Sequence, residues 1–255
     1  MRRAVLLLLL AALLVTFASA CKEKGPPNEV HSPEDVVGRV IGVLSGSPSA
    51  RLAEEYGVAR PYSAGADVMY ALITGTVDCA IIEHSLAEEL AETTDGVKVL
   101  PDPLLEYELR FAVAKENAEL LRAVNSALKA LEGNGTLNGL RDRYFNGKEY
   151  IYVPPTDVAP HPGFLELAVS PDDRPFSFGD GNGNFAGFSV DTALAVCDHL
   201  GVELRISAYE TGELITAVWY GKADFAVGWL PGDVLDRVNL SEPYANSSHS
   251  IVVRK

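Results

Sequence analysis

Ala71–Glu83, ALITGTVDCAIIE, aligns without a gap with Ala217–Trp229, AVWYGKADFAVGW. The two stretches share an alanine at the first position, a glycine at the fifth, an aspartate at the eighth and an alanine at the tenth. Each predicts a helix that ends at the glycine, a turn that carries the aspartate, and an apolar strand of the kind buried on both faces of a parallel sheet. Two ordinary helix–strand units can look alike by coincidence, but the pattern favours an α/β protein with two similar lobes.

A strand–helix unit precedes each copy: RVIGVLSGSPSARLAEEYG comes before the first, and FLELAVS with GFSVDTALAVCDHLG comes before the second. In open α/β sheets a ligand binds outside the carboxyl ends of the strands. Those ends carry Ser45–Ser47, Glu83, Ser170–Asp173 and Gly228–Trp229. Ser47, Pro48 and Ser49 also open a predicted helix, whose free backbone N–H groups would form an anion site, although Pro48 removes one donor.

The N-terminus reads as an export signal. Residues 1–20 combine Arg2 and Arg3 with an apolar run and a small-residue end, ASA, and are too short for a comfortable membrane span, which disfavours a transmembrane anchor. Ala18–Cys21 resembles a bacterial lipoprotein cleavage box, which implies that Cys21 carries the lipid and holds the protein at the periplasmic or extracytoplasmic face of the membrane. Residues 21–35 are polar and contain prolines, so they predict a tether.

Charge and cysteine usage exclude several classes of function. A formal net charge of −14 would repel phosphates, so we expect no nucleic-acid partner. Cys79 lies in an apolar strand and Cys197 in a helix of the other predicted lobe, which favours two buried free thiols over a disulfide. The five histidines are dispersed and no CxxC is present, so we expect no metal site and no cofactor.

A family resemblance rests on a series of motifs. LAVSPDDRPFSF, a DGNG turn, GFSVDTALAVCDHLGVEL, ITAVWYGKADFAVG and DRVNLSEPYANSSHSIVVRK, all within Phe164–Lys255, resemble the first half of the bacterial extracellular solute-binding proteins of polar amino acid transporters. GRVIGVLSGS, ALITGTVDCAIIEH and LRFAVAKENAELLRAVNSALKALEGNGTLNGLRDRYF, within Val36–Gly147, resemble the second half. The reversed order resembles a circular permutation of the two-lobed, type II periplasmic-binding-protein-like fold. A truncated tandem of half-proteins that swap domains is the alternative, disfavoured because neither half duplicates the other.

The resemblance implies a division of the chain. Residues 36–111 would form the family's second lobe, and residues 116–148 with 164–255 would form its first lobe. Residues 149–163 would be a linker that joins the family's usual C- and N-termini. Permutation at Lys255 and Val36 would break one of two crossings between the lobes and leave mainly the segment around Leu109–Lys115.

The resemblance also implies site residues. Arg237 stands where the family clamps the carboxylate of its ligand, and Glu83 stands where an acid meets the ammonium group. Ser47, Ser49 and Ser170 would supply hydroxyl and amide contacts. Asp173 and Arg174 replace a stacking aromatic, Thr211 with nearby Tyr209 occupies a second stacking position, and Trp229 could supply the missing aromatic face.

The function implied is non-enzymatic: a lipid-anchored protein would bind a small polar ligand, foremost an amino acid, by lobe closure and deliver it to a membrane ABC permease. The acid at Asp173 favours a cationic or hydroxyl-rich ligand. A sensory or partner-binding module without a ligand is one alternative. A dehydratase of prephenate-like acids, with Glu83 beside His84 in the cleft, is another, but no paired acid–base set supports it.

Overall fold

The computed structural model describes residues 26–228 and 236–255. The predicted signal with Cys21 and the segment that contains Trp229 lie outside the described residues. Within the two described ranges, none of the helices combines the length and the apolar character that crossing a membrane requires.

The lobe that begins the described chain, which the resemblance assigns to the family's second lobe, is called the first lobe from here on. It is built on one mixed sheet in the order β2-β1-β3-β14-β4, with β5 paired to β14. Its strands are β1 (Val40–Leu44), β2 (Val58–Tyr62), β3 (Cys79–Glu83), β4 (Val97–Val99), β5 (Leu105–Leu109) and β14 (Ala245–Arg254). Its helices are α1 (Pro48–Tyr56), α2 (Gly65–Ile73) and α3 (His84–Thr93).

The second lobe is built on a sheet in the order β11-β7-β12-β6-β13, with a small sheet β10-β9-β8 beside it. Its strands are β6 (Ala112–Ala114), β7 (Phe164–Val169), β8 (Asp172–Asp173), β9 (Ser177–Gly179), β10 (Phe185–Ala186), β11 (Glu203–Ala208), β12 (Phe225–Ala226) and β13 (Val238–Leu240). Its helices are α4 (Ala118–Gly133), α5 (Thr136–Phe145), α6 (Phe188–Leu200) and α7 (Leu214–Trp219).

The two sheets share one plan. Three parallel strands, β2-β1-β3 in the first lobe and β11-β7-β12 in the second, are followed by an antiparallel fourth strand, β14 or β6. The sequence repeat forms the equivalent units α2–β3 and α7–β12. The prediction of two similar α/β lobes is therefore confirmed.

The C-terminal strand corrects the predicted division of the chain. The resemblance predicts residues 164–255 in one lobe, but β14 pairs with β3, β4 and β5 and so completes the sheet of the other lobe. The apolar run Ile251–Val253 indicates a strand but not the sheet that the strand joins. Pairing partners depend on contacts between distant parts of the chain, which a local pattern does not contain.

The position of β14 also means that two segments connect the lobes. One runs from β5 to β6 through Arg110 and Phe111, and the other runs from β13 to β14 through Ser241–Tyr244. The segments hydrogen-bond to each other: the Ser241 N–H donates to the Phe111 carbonyl at 2.8 Å, and the Tyr244 N–H donates to the Leu109 carbonyl at 3.0 Å. The expectation that one crossing is broken at Lys255 is therefore wrong.

The predicted tether is partly folded. From Pro26 onward the segment packs on the first lobe, where Val30 and Val36 are fully buried in the core. Near the end of β14, the Arg254 guanidinium donates from Nε to the Pro26 carbonyl at 3.0 Å. Burial of two valines provides the free energy that holds this polar stretch against the lobe, so residues 26–35 are part of the fold.

The predicted linker lies along the second lobe. Tyr150 and Tyr152 pack against the core that α4, α5 and α6 form, and the His161 N–H donates to the Gly201 carbonyl at 2.7 Å. Cys79 and Cys197 lie in different lobes as buried free thiols, as predicted. Burial raises the pKa of each thiol to about 12.

Candidate functional site

A cavity of about 580 Å³ lies between the lobes, at the carboxyl ends of β1, β3 and β7. This is the edge at which open α/β sheets bind ligands. The first lobe lines it with Leu44, Ser45, Ser47–Ser49, Ser63–Gly65, Ile81–Glu83, Leu86, Leu90 and His249, and the second lobe lines it with Pro171–Arg174, Phe178, Gly179 and Gly181.

The lobes also contact each other directly beside the cavity. The Thr211 hydroxyl donates to the Gly46 carbonyl at 3.2 Å and lies 3.1 Å from the Ser170 hydroxyl. Gly46 has a φ of +76°, and a Cβ added there would lie 2.8 Å from Asp172 Oδ2. Position 46 therefore requires glycine for two reasons: its backbone has a positive φ, and a side chain would collide with Asp172.

Glu83 is the last residue of β3 and the N-cap of α3. One carboxylate oxygen accepts the Ser247 hydroxyl at 2.6 Å, and the other accepts the Leu86 N–H at 3.2 Å. The side chain is buried, and this burial raises its pKa, while the hydrogen bonds from Ser247 and Leu86 act in the opposite direction. The protein itself thus orients the acid toward the cavity.

Asp173 reaches the same cavity from the second lobe. The residue is only 2% exposed, and its Oδ2 atom has no hydrogen-bond partner among the residues that the structure describes. Burial raises the pKa of Asp173 to about 8, and the charge of Glu83 adds to the shift. A buried oxygen of this kind is costly unless a partner arrives, so Asp173 is suited to meet a hydrogen-bond donor from a ligand.

The serines at the start of α1 are already engaged. The Ser47 hydroxyl donates to the Leu44 carbonyl at 2.8 Å, and the Ser49 hydroxyl lies 2.9 Å from Nδ1 of His249. His249, which sequence reasoning missed, is buried on β14 and stacks on Tyr107 with ring centroids 4.9 Å apart. Burial lowers the pKa of His249 to about 4, so its ring is neutral at neutral pH.

Ser170 and Arg174 occupy different parts of the second lobe's wall. Ser170 is buried at the end of β7, where its carbonyl accepts the Ser177 hydroxyl at 2.6 Å, and it supports the loop without lining the cavity. Arg174 lines the cavity but is exposed, and its guanidinium carbon lies 3.8 Å from the ring centroid of Phe178. The aromatic face present here is therefore Phe178, which sequence reasoning also missed.

Arg237 is not brought to the cavity, which corrects the predicted carboxylate clamp. Val238 pairs with Ala114 in β6, whereas Ala226, at the end of β12, pairs with Ala112. Arg237 therefore lies at the amino edge of the parallel strands, opposite the cavity. Its guanidinium carbon is 4.5 Å from the ring centroid of Trp219.

Comparisons with known proteins bear on the same residues. Residues 165–255 match the family described as "Bacterial extracellular solute-binding proteins, family 3". The arginine-binding extracellular protein ArtP of Bacillus subtilis (strain 168) is 31% identical over 127 residues, 47% of this chain and 50% of ArtP. The L-cystine-binding protein TcyJ of Escherichia coli (strain K12) is 27% identical over 130 residues, 49% of each chain.

The chain spans about half the length of the curated relatives that it matches. Among solved structures, the phosphate-binding protein of a phosphate ABC transporter from Streptococcus pneumoniae TIGR4 has a TM-score of 0.49 at 13% identity, over 86% of this chain and 89% of that one. The family match covers β7 to the end of β14, which includes Asp173 and His249. Residues 165–255 are therefore similar in sequence to part of the bacterial extracellular solute-binding proteins of family 3.

Proposed function

We propose that this protein binds a small polar solute with an ammonium group, the class that includes amino acids, in the cavity between its lobes. The observation that carries the proposal is that one cavity is lined by two buried acids from opposite lobes, Glu83 and Asp173, one of which has an oxygen without a partner among the described residues. A ligand that contacts both acids favours the closed arrangement of the lobes, because either lobe alone offers only part of the site.

The ionisable groups of the cavity favour the binding of a cationic ligand. Without a ligand, Asp173 holds its proton at neutral pH because its pKa is about 8. An ammonium group beside the carboxyl favours the charged form, so the proton would leave as the ligand binds. The product is a buried ion pair, one of whose acids, Glu83, is already held by hydrogen bonds from Ser247 and Leu86.

Thermal-shift screening followed by calorimetry tests this proposal. The purified protein is titrated with amino acids, amines and aromatic keto acids, and a matched set of variants is titrated with whichever ammonium compound stabilises it. Asp173→Asn and Glu83→Gln should each weaken binding at least tenfold, because each removes a charge that the ligand faces. Arg237→Ala, at the opposite edge of the sheet, is the control and should bind normally.

Each other outcome points to a different function. Stabilisation by none of the ammonium compounds would overturn the proposal and favour a sensory or partner-binding module. Turnover of an aromatic keto acid would favour the dehydratase alternative. Normal affinity in the Asp173→Asn variant would remove that residue from the site.

We also propose that the protein works at the extracytoplasmic face of the membrane, held by lipid on Cys21, and passes its ligand to an ABC permease. The support is the export signal predicted in residues 1–20 and the family match of residues 165–255. Mass spectrometry of the membrane-extracted protein should show a lipidated N-terminal Cys21. A Cys21→Ser variant should be released into the soluble extracytoplasmic fraction, and membrane retention of that variant would contradict the anchor.

The order of the two halves is a further part of the proposal: we propose a circular permutation. Two features support it. The family's segment occupies the C-terminal part of the chain, and α4 and α5, which come earlier in the chain, pack in the core of the second lobe with α6. A tandem of half-proteins that swap domains would need these helices to pack on another chain, whereas here they complete their own.

A further inference from the structure

The described wall of the cavity has buried acids but no buried cation. Glu83 and Asp173 are buried in it, and Asp172 adds a third, exposed carboxylate. His249 is neutral at neutral pH because burial holds its pKa near 4. Arg174 is the remaining charged side chain of the described wall, and it is exposed and lies over Phe178.

The sequence between the two described ranges does not change this balance. Residues 229–235, WLPGDVL, contain one aspartate and neither lysine nor arginine. Arg237, the residue that similarity had suggested as a carboxylate clamp, lies at the opposite edge of the sheet beside Trp219. A ligand carboxylate would therefore be buried beside two acids without a buried guanidinium to receive it, which is unfavourable.

The start of α1 offers a carboxylate little compensation. The Ser47 and Ser49 hydroxyls are engaged with the Leu44 carbonyl and the His249 ring. Pro48, at the first helical position, has no N–H to donate. Two of the groups that would bind an anion at a helix N-terminus are thus occupied within the protein, and a third is missing.

The rest of the wall suits a hydrocarbon chain. Leu44, Ile82, Leu86 and Leu90 line the cavity from the first lobe. Methylene groups of a ligand that packed against these side chains would be removed from water, which is favourable, and few polar groups would be buried with them. The cavity therefore combines an acidic end with an apolar wall.

We propose that the ligand is an alkyl amine or diamine without a carboxylate, with its ammonium group between Glu83 and Asp173 and its methylene chain along Leu86 and Leu90. This inference rests on the proposed function and narrows it from ammonium-bearing solutes to those that lack an acid. It follows from two observations: Asp173 Oδ2 has no hydrogen-bond partner among the described residues, and the described wall of the cavity contains no buried cation.

Calorimetric titration with matched pairs of ligands tests it. Cadaverine differs from lysine, and agmatine from arginine, only by the carboxylate, so each pair isolates that group. The expected result is that at least one of the two amines binds at least tenfold more tightly than the matching amino acid. Equal or tighter binding of the amino acid in both pairs would overturn this inference and leave the proposed function standing. No detectable binding of any of the four compounds would overturn this inference, whereas the proposed function would fall only if none of the ammonium compounds in the wider thermal-shift screen stabilised the protein.

A second variant tests the alternative that the exposed Arg174 side chain moves into the cavity when a ligand binds. If Arg174 turned inward to hold a carboxylate, Arg174→Gln would weaken lysine and arginine and spare the amines. We expect instead that Arg174→Gln leaves the preference for the amine unchanged or increases it. Glu83→Gln should weaken the amines at least tenfold, and retention of amine affinity in that variant would contradict the placement of the ammonium group.

Discussion

Asp78 and Asp224 make the same pair of hydrogen bonds in the two lobes. Asp78 Oδ2 accepts the Val40 N–H of β1 at 2.8 Å, and the Asp78 N–H donates to the Val40 carbonyl at 2.8 Å. Asp224 makes both bonds with Glu166 of β7, also at 2.8 Å each. Each aspartate thereby fixes the first strand of its sheet beside the strand that follows the repeat's helix, which explains why the repeat carries an aspartate.

We expect Asp78→Ala and Asp224→Ala to lower the free energy of unfolding by similar amounts, about 1–3 kcal/mol each. Each variant removes a charge-assisted hydrogen bond and leaves a backbone N–H without its acceptor. Urea denaturation followed by circular dichroism measures the change. Alanine at the exposed Glu55 and Asp157 is the control and should stay within about 0.5 kcal/mol. A change below that limit in either aspartate variant would show that this pair of bonds is not needed in its lobe.

We expect the free energy of unfolding to depend on pH through the buried carboxyl group of Asp173. Its pKa is 3.8 as an ordinary aspartate and about 8 in the folded protein, so the stability that it contributes is complete below about pH 4 and is lost as the pH rises through 8. His249 acts in the opposite direction below pH 6.5, because burial lowers its pKa from 6.5 to about 4. Glu83, Tyr107 and Tyr244 are the other titratable groups coupled to Asp173.

Comparison with Asp173→Asn measures this effect together with the coupling of Asp173 to Glu83, Tyr107 and Tyr244, because the remaining groups titrate alike in both proteins. The unfolding free energy of the variant minus that of the parent should grow from pH 4 to pH 8 and stay level above it. The total is on the order of several kcal/mol, since one pKa unit corresponds to about 1.4 kcal/mol. Urea denaturation across this pH range measures it, and a difference independent of pH would show that Asp173 is ionised in the ligand-free protein.

Because two segments connect the lobes, the chain can be reordered by joining its ends and opening it elsewhere without loss of either connection. A linker of about four residues, which spans up to about 13 Å, should join Lys255 to Pro26, because Arg254 Nε already lies 3.0 Å from the Pro26 carbonyl. The chain would be opened between Pro155 and Thr156, which are exposed. Both crossings are kept, so the reordered protein should fold and show the parent's range of lobe opening.

Spin labels at the exposed positions Glu55 and Glu119, one on each lobe, would measure that range as a distance distribution. Ser241→Ala is the matched variant that should broaden it, because the Ser241 hydroxyl accepts the buried Phe111 N–H at 2.9 Å within the paired crossings. A broader distribution in the reordered protein than in the parent would contradict the finding that the chain order leaves both crossings intact.

The candidate site shows how far sequence reasoning reached. Glu83 and Asp173 were identified because each follows an apolar strand whose carboxyl end lies at the binding edge of a sheet, and both line the cavity. His249 and Phe178 were missed. His249 lies within the polar run Asn246–Ser250, and nothing in that run indicates that this residue is buried beside the cavity. Likewise, nothing in the sequence around Phe178 indicates that its ring meets Arg174.

The sequence by itself determined the two α/β lobes, the equivalence of their repeats and the edge at which a ligand would bind. These features follow from the alternation of apolar and polar residues, from glycine and aspartate at turns, and from helix caps, which act over a few residues. Tertiary structure alone decided that β14 completes the first lobe, that Arg237 lies away from the cavity and that Asp173 and Glu83 line the same cavity. Strand register and the burial of a carboxyl are set by partners tens to hundreds of residues away, and a local pattern carries no information about them.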